Sequence, residues 1–392
     1  MERTCGPMRI IERYGTGFRM LTGRGIWAVL YPVRFFLAGI YGLFVAVRAG
    51  HGPRRERGSI RDAGGTRPAV VSIGNIETGG GGKTPCAIAL AQGIATRGGF
   101  PVVVTRGYGG LAQRRAPCIV SAGRVKSLAS GAGYVTGEDL IGLSGARAGT
   151  LAREAEVLGD EILIYRDRGI PVVIDPRRAR GAELARRMFS PSHILLDDAF
   201  QNFSMAKDVD VLLLDAERPF GAGKLLPLGT LREHPREARR ADVVIFTRAR
   251  EKRIPEAARE HIEGKRVYFA NHEPSCLIDR SGESIPLEFL AGRECVLFSG
   301  IARPESFERT IRALGARPRA AFRFVDHRRY VREDARLMLQ EGGSDALFIT
   351  TEKDRAKAID LFPAGTVVLA LRVEMKIDGL SDLLDCLSTS SS

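Results

Sequence analysis

The tightest constraint on this chain lies between Val70 and Ala91, where a β-branched run, four glycines, a Lys-Thr pair and a helix-period stretch follow in order. Val70–Ile73 reads as a strand, Gly79, Gly80, Gly81 and Gly82 as a loop, and the segment from Lys83 (KTPCAIALAQGIATRGG) as a helix. Glycines let backbone N–H groups converge on phosphate oxygens, and a helix start adds its positive dipole end. In such an arrangement Lys83 pairs with the β- and γ-phosphates of a nucleotide, and the Thr84 hydroxyl ligates Mg²⁺. The Gly-x-x-x-x-Gly-Lys-Thr spacing fails at its first position, where Glu77 stands. A glycine-rich hairpin that happens to precede a lysine is the competing reading, and the strand–glycines–Lys-Thr–helix order argues against it.

Downstream, apolar runs alternate with helix-period stretches. Expected strands are Val70–Ile73, Val102–Thr105, Val172–Ile174, His193–Leu196, Val209–Leu214, Val243–Thr247, Val296–Ser299, Ala346–Thr350 and Val367–Leu371. Short β-branched runs separated by helices predict a doubly wound, mostly parallel α/β sheet of the P-loop NTPase kind. Pro274, Pro286 and the Asp279–Gly282 turn break the pattern. The expected organisation is therefore a kinase core over 68–270, a linker or β-ribbon hinge over 271–292, and a smaller C-terminal α/β lobe over 293–388.

Residues 1–67 form a basic N-terminal segment, with twelve arginines against four acidic residues in a chain of net charge +13. Within it, Ile26 to Val47 is almost wholly apolar, interrupted by Pro32 and Arg34. As a helix it would be about 33 Å long, close to the hydrocarbon thickness of a bilayer. Arginines flank both ends, so the positive-inside rule gives no orientation, and Arg34 opposes deep insertion. A helix dipping into one leaflet, a full span and a buried core helix all stay open. The expectation is a membrane-associated helix over 26–47 and an anionic lipid surface as partner. Nucleic acid is not expected, since no reading module and no interleaved aromatics accompany the charge. The six cysteines are scattered, with no Cys-x-x-Cys pair, which argues against a metal cluster or disulfide framework and fits a reducing compartment.

Several acidic groups stand where chemistry is plausible. The run His193–Leu196 ends in Asp197-Asp198, a position where P-loop proteins bind Mg²⁺ and where a plain helix cap is the alternative. Asp160-Glu161 open a helical run and read equally as first-turn acids. Glu233 lies in a loop, and Asp326-His327 precede a helix from Arg332, where a surface or capping role is the simpler reading.

Together these pieces resemble the tetraacyldisaccharide 4′-kinase family, whose members phosphorylate a tetraacylated glucosamine disaccharide 1-phosphate in lipid A biosynthesis. The resemblance rests on SIGNIETGGGGKTP (72–85), TRGYGG (105–110), GDE (159–161), LLDDAFQN (195–202), LGTLRE (228–233), FSGIARPESF (298–307), DHRRY (326–330) and TTEKD (350–354), in the family's order. It implies that Gly79–Gly82, Lys83 and Thr84 hold ATP, and that Thr84, Asp197, Asp198 and Glu233 serve the metal. It also implies Asp160 as the base that orients and deprotonates the sugar hydroxyl, and His327 as its partner from the second lobe. Arg106 and Tyr108 become substrate contacts. The implied setting is the inner membrane, peripheral or single-helix anchored, with the catalytic domain cytoplasmic. Three positions depart from the pattern: Glu77 for threonine, Asn202 for histidine and Arg328 for a second histidine. The first changes the loop's charge, the second bears on nucleotide contacts, and the third leaves His327 in place. The rival class is a membrane-tethered P-loop NTPase switch, which needs no base such as Asp160.

Overall fold

The computed structural model describes residues 8–13, 35–42, 67–112, 117–121, 124–127, 135–136, 151–326, 328–343 and 345–388. In chain order the strands are β1 (Arg9–Arg13), β2 (Ala69–Gly74), β3 (Pro101–Thr105), β4 (Cys118–Ser121), β5 (Arg124–Ser127), β6 (Val135–Thr136), β7 (Val172–Ile174) and β8 (His193–Asp197). They continue as β9 (Val209–Asp215), β10 (Val243–Thr247), β11 (Arg266–Ile278), β12 (Ser284–Ile285), β13 (Glu294–Ser299), β14 (Arg317–Phe324), β15 (Phe348–Thr351) and β16 (Val368–Ile377). The chain forms two units, one from residues 24–140, 165–272 and 375–392, the other from 1–23, 141–164 and 273–374.

In the first unit the strands lie in the order β11-β10-β9-β2-β8-β3-β7-β4-β5-β6. Pairing is parallel from β11 to β7 and antiparallel from there to β6. Strands β2, β3, β7, β8 and β10 are buried at every position, as strands covered on both faces must be. That is why their sequences are continuous apolar runs rather than alternating ones. One face packs Phe200, Leu212, Leu214 and Phe246 in an apolar cluster, and another cluster gathers Val70, Val102, Ile194 and Leu196. The helix Lys83–Thr96 buries Cys86, Ala87, Leu90, Ala91 and Ile94. Gly93 lets the helix Leu380–Ser388 approach it, since a Cβ there would lie 2.8 Å from Leu384 Cδ1. After β2 the chain runs to β3, beyond β8, and later returns to β9 on the other flank of β2. The carboxyl end of β2 is therefore a topological switch point, where open α/β sheets bind ligands.

The second unit carries β1-β14-β13-β15-β16, all parallel, and the antiparallel β11–β12 pair. Phe298, Phe322, Phe348 and Phe362 belong to one apolar cluster, and Leu297, Ile311, Ile349 and Leu369 to another. The segment expected to lie inside the 68–270 core is interrupted here, because the helix Leu151–Leu158 belongs to this unit. Ala152 N donates to Asp360 Oδ2 at 3.0 Å, and Arg329 pairs with Glu156. Part of the basic N-terminal segment is likewise a strand, β1 on the edge of β14.

Each of the nine expected runs contains a strand, although β15 starts at Phe348 rather than Ala346 and β16 at Val368 rather than Val367. The apolar stretch 26–47 is described only at 35–42, which is helical. Among the described residues no helix is long and apolar enough to cross a membrane.

Candidate active site

The loop after β2 is shaped by its glycines. Gly79 and Gly82 have φ of 109° and 82°, a region open to glycine and costly for other residues. At Gly81 a Cβ would stand 2.4 Å from Asn75 Nδ2, so only a hydrogen fits. The helix Lys83–Thr96 then begins without a side-chain cap and without an acidic residue in its first turn. A helix start with neither a side-chain cap nor a first-turn acid leaves its N–H groups to an external anion. Lys83 Nζ lies 3.5 Å from Asn75 Oδ1 and 3.5 Å from Asp198 Oδ1.

Asp197 ends β8 and Asp198 follows it, beside this loop. Asp197 is buried; its Oδ2 accepts from Tyr165 Oη at 2.9 Å, while Oδ1 has no hydrogen-bond partner. Burial, reinforced by the neighbouring Asp198 charge, raises its pKa against the opposing pull of Tyr165, Lys83 and Arg178. Asp198 adopts φ 50° and receives Arg232 Nη1 on both oxygens, at 2.9 and 3.2 Å. Burial opposes its ionisation, but Lys83, Arg232 and Arg106 outweigh it, and its pKa falls below the ordinary value. Arg178, only 1% exposed, donates to the carbonyls of Asp175 and Asp197 at 2.9 and 2.7 Å. Burial and the nearby Arg106 charge lower its pKa to about 10, so it remains a cation.

An unpartnered buried carboxylate oxygen next to a second carboxylate fits a hard divalent cation. Asp197, with Asp198 beside it, meets this description, and Oε1 of Glu233 is likewise buried without a hydrogen-bond partner. Glu233 is fully buried, with Oε2 accepting from Arg240 at 2.8 Å and from Gln201 at 3.0 Å. Gln201 also donates to the Asn75 carbonyl at 2.8 Å, so Glu233 reaches the loop through Gln201 and Asn75. Among the described residues no group of three His, Cys, Asp or Glu is arranged to hold a metal without other ligands. Arg106, which follows β3, acts electrostatically on Asp198 and Arg178, whereas Tyr108 stands 67% exposed between Gly107 and Gly109.

Asp160 belongs to the second unit. Gly159, at φ 96°, breaks the helix before it, and Asp160 opens the next one with its side chain buried. Lys357 Nζ lies 3.4 Å and Lys353 Nζ 3.8 Å from its Oδ2. Burial works against the charge of Lys353, but Asp160, Glu161, Asp326 and Asp354 more than compensate and raise its pKa. Asp354 is buried, accepts from Gly300 N at 2.9 Å and from Thr351 Oγ1 at 2.8 Å, and lies 3.2 Å from Lys357. His327 lies outside the described residues.

The sequence model of the family described as "Tetraacyldisaccharide-1-P 4'-kinase" (LpxK) matches residues 27–133 and 143–389. The chain belongs to this family. A tetraacyldisaccharide 4′-kinase of Anaeromyxobacter dehalogenans (strain 2CP-C) is 36% identical over 358 residues, covering 87% of this chain and 86% of that one. Another, from Anaeromyxobacter sp. (strain Fw109-5), is 34% identical over 393 residues and 96% of each chain. The crystal structure of LpxK from Aquifex aeolicus, in complex with ATP, shares the fold with a TM-score of 0.65 and 23% identity, over 93% of this chain and 99% of that one.

Within this tetraacyldisaccharide-1-P 4′-kinase family member, the three departures have local explanations. Glu77 Oε1 accepts from Thr230 Oγ1 at 2.6 Å, tying the glycine loop to the segment 221–231. Asn202 Oδ1 accepts from Ser204 N and Oγ at 3.0 and 2.8 Å, a turn contact. Arg328 donates to Asp334 in the first turn of the helix Arg332–Gly342, with its shortest contact at 2.9 Å. The sequence reading overlooked Asn75, Tyr165, Arg178, Arg232, Lys353 and Lys357. Of these, Arg232 lies within LGTLRE and Lys353 within TTEKD, and the Lys353–Lys357 spacing of four places both on one helical face.

Proposed function

We propose that the protein transfers the γ-phosphoryl group of ATP to the 4′-hydroxyl of tetraacyldisaccharide 1-phosphate, a step of lipid A biosynthesis. The observation that carries this reading is Lys83, between Asn75 and Asp198 at the uncapped start of a helix that follows a four-glycine loop. Gly79–Gly82 and Lys83 would bind the nucleotide phosphates through backbone N–H groups and one ammonium. Thr84, Asp197 and Asp198 would hold Mg²⁺, which when bound supplies charge neutralisation on the nucleotide phosphates. Glu233 supports Asn75 through Gln201.

Asp160 is proposed to orient the acceptor hydroxyl and receive its proton, with His327 as its partner. An aspartate suffices for an alcohol because in a loose transition state the proton leaves late. Lys83 stabilises charge on the transferring group. Arg106, close to Asp198, and the exposed Tyr108 are proposed substrate contacts.

The acceptor's acyl chains stay in a bilayer, and the helical residues 35–42 offer a surface for it. Phe35, Phe36, Leu37 and Ile40 are exposed there while Ala38 is buried. Four large apolar side chains on one short helix suit insertion among lipid headgroups. We place the protein on the cytoplasmic face of the inner membrane. The deciding experiment supplies purified protein with ATP, Mg²⁺ and tetraacyldisaccharide 1-phosphate and follows phosphate to the 4′ position. Phosphate released to water with none on the sugar would instead favour an NTPase switch.

A further inference from the structure

Asp197 ends β8, on one side of β2, and Asp198 follows it. On its other side β9 ends in Asp215, and Arg248 follows β10. Arg248 Nη1 donates to the Gly80 carbonyl at 3.1 Å, while its Nε and Nη2 donate to Asp215 Oδ2 at 3.0 and 2.6 Å. Asp215 is buried, and its Oδ1 accepts from Glu217 N and Arg218 N at 2.9 and 3.3 Å. Arg248 also has φ 58°, a left-handed conformation that an arginine adopts rarely. A side chain held by a buried carboxylate, on a backbone held in an unfavourable region, is one whose direction is specified.

The glycine loop needs such a contact. N–H groups can converge on a phosphate only if the intervening carbonyls face elsewhere, because a carbonyl turned inward repels the anion. Gly80 has nothing within 4 Å of where a Cβ would be, and the peptide that carries its carbonyl is otherwise tied by the Gly81 N–H, which donates to the Gly79 carbonyl at 2.9 Å. Gly82 is confined differently: a Cβ there would meet Met375 Cε at 2.8 Å and His272 Nε2 at 3.1 Å. His272 adds no charge to this wall, since burial and Arg248 lower its pKa to about 4.

We infer that Arg248, aimed by Asp215, is a positioning residue that holds the Gly80 carbonyl away from the nucleotide and so sets the loop amides for the β- and γ-phosphates. This deepens the kinase reading and rests on it only for the identity of the nucleotide.

The test is calorimetric titration of wild-type protein, Arg248→Met and Arg248→Lys with ATP, ADP and adenosine in the presence of Mg²⁺, with circular-dichroism melts as a folding control. Arg248→Met should weaken ATP and ADP by about tenfold, the worth of one charge-assisted hydrogen bond. Adenosine binding should be unchanged, and Arg248→Lys should recover part of the loss through its single ammonium. A merely structural role would move all three ligands together. ATP affinity within about twofold of wild type overturns the inference. So does an equal loss for adenosine, which would place Arg248 at the base. If Arg248→Met does not fold, Asp215→Asn carries the same comparison: its Oδ1 still accepts from Glu217 and Arg218, but the charge that aims Arg248 is gone. Wild-type protein that shows these differences yet leaves the disaccharide unphosphorylated removes the kinase reading alone. Wild-type protein that binds no ATP removes both.

Discussion

Lys83 sits 3.5 Å from each of its two neighbours, Asn75 Oδ1 and Asp198 Oδ1, longer than a strong hydrogen bond. Its ammonium is therefore positioned without being consumed, and it can turn to a phosphate at little cost. Lys83→Met should lower turnover by about a hundredfold to a thousandfold, as loss of a group aimed at developing charge does, while leaving the melting midpoint near wild type. Turnover close to wild type would remove the phosphate-loop assignment. Asp160 and His327 carry a second expectation, that they act as one device. Asp160→Ala and His327→Ala should each depress single-turnover transfer far more than ATP binding, and the double variant should be little worse than the poorer single one. Losses that multiply would give His327 a separate task. At this scale Lys83, Thr84 and the glycines were legible because they are contiguous and their order is itself the chemistry. Arg178 and Tyr165 were not, since only the fold brings them to Asp197, nineteen and thirty-two positions away.

Among the elements, the short helix at 35–42 has the least explained surface. Tyr41 packs against the core of the first unit, yet Phe35 and Phe36 are 64% and 68% exposed. Each apolar side chain moved from water into a membrane interface contributes about 1.5–3 kcal/mol when fully buried, and less at partial depth. The triple variant Phe35→Ser, Phe36→Ser, Ile40→Ser should therefore reduce co-sedimentation with anionic phospholipid vesicles by at least about tenfold while leaving soluble ATP binding intact. Unchanged sedimentation would assign membrane contact to another surface. The same logic of burial explains which strands could be read from sequence. Strands covered on both faces, such as β8 and β10, are unbroken apolar runs and were found. β11 was anticipated only in its second half, as part of a possible β-ribbon over 271–292, because Asn271 to Cys276 alternate exposed and half-buried positions around Pro274. β14 hid in the same way: RPRAAFRF places exposed arginines at its first and third positions. β1 lies within an arginine-rich segment whose charge dominated its reading.

For the molecule as a whole, the buried His193 and the half-buried His272 set how stability responds to acid. His272 has its pKa lowered from 6.5 to about 4 by burial and by Arg248, and His193 is lowered by burial. In both, the folded pKa is depressed, so the unfolded chain binds the proton more readily. Stability is therefore fully present above pH 6.5 and is lost as pH falls through the window from 6.5 towards 4. Each such histidine contributes a slope of at most about 1.4 kcal/mol per pH unit there. Asp198, whose pKa lies below the ordinary 3.8, adds loss only at lower pH. Asp197, whose pKa is raised, works the other way, because the folded state takes its proton first and gains relative stability as pH falls. Between pH 7 and 5 the unfolded carboxylates are still ionised, so the histidine terms should dominate. The urea midpoint followed by circular dichroism should fall across that interval, and His272→Gln should flatten the fall, because glutamine keeps a polar side chain of similar reach without a proton to gain. A wild-type midpoint that does not move between pH 7 and 5 would show that His272 is hydrated enough to titrate normally, and a steeper fall in His272→Gln would contradict the sign itself.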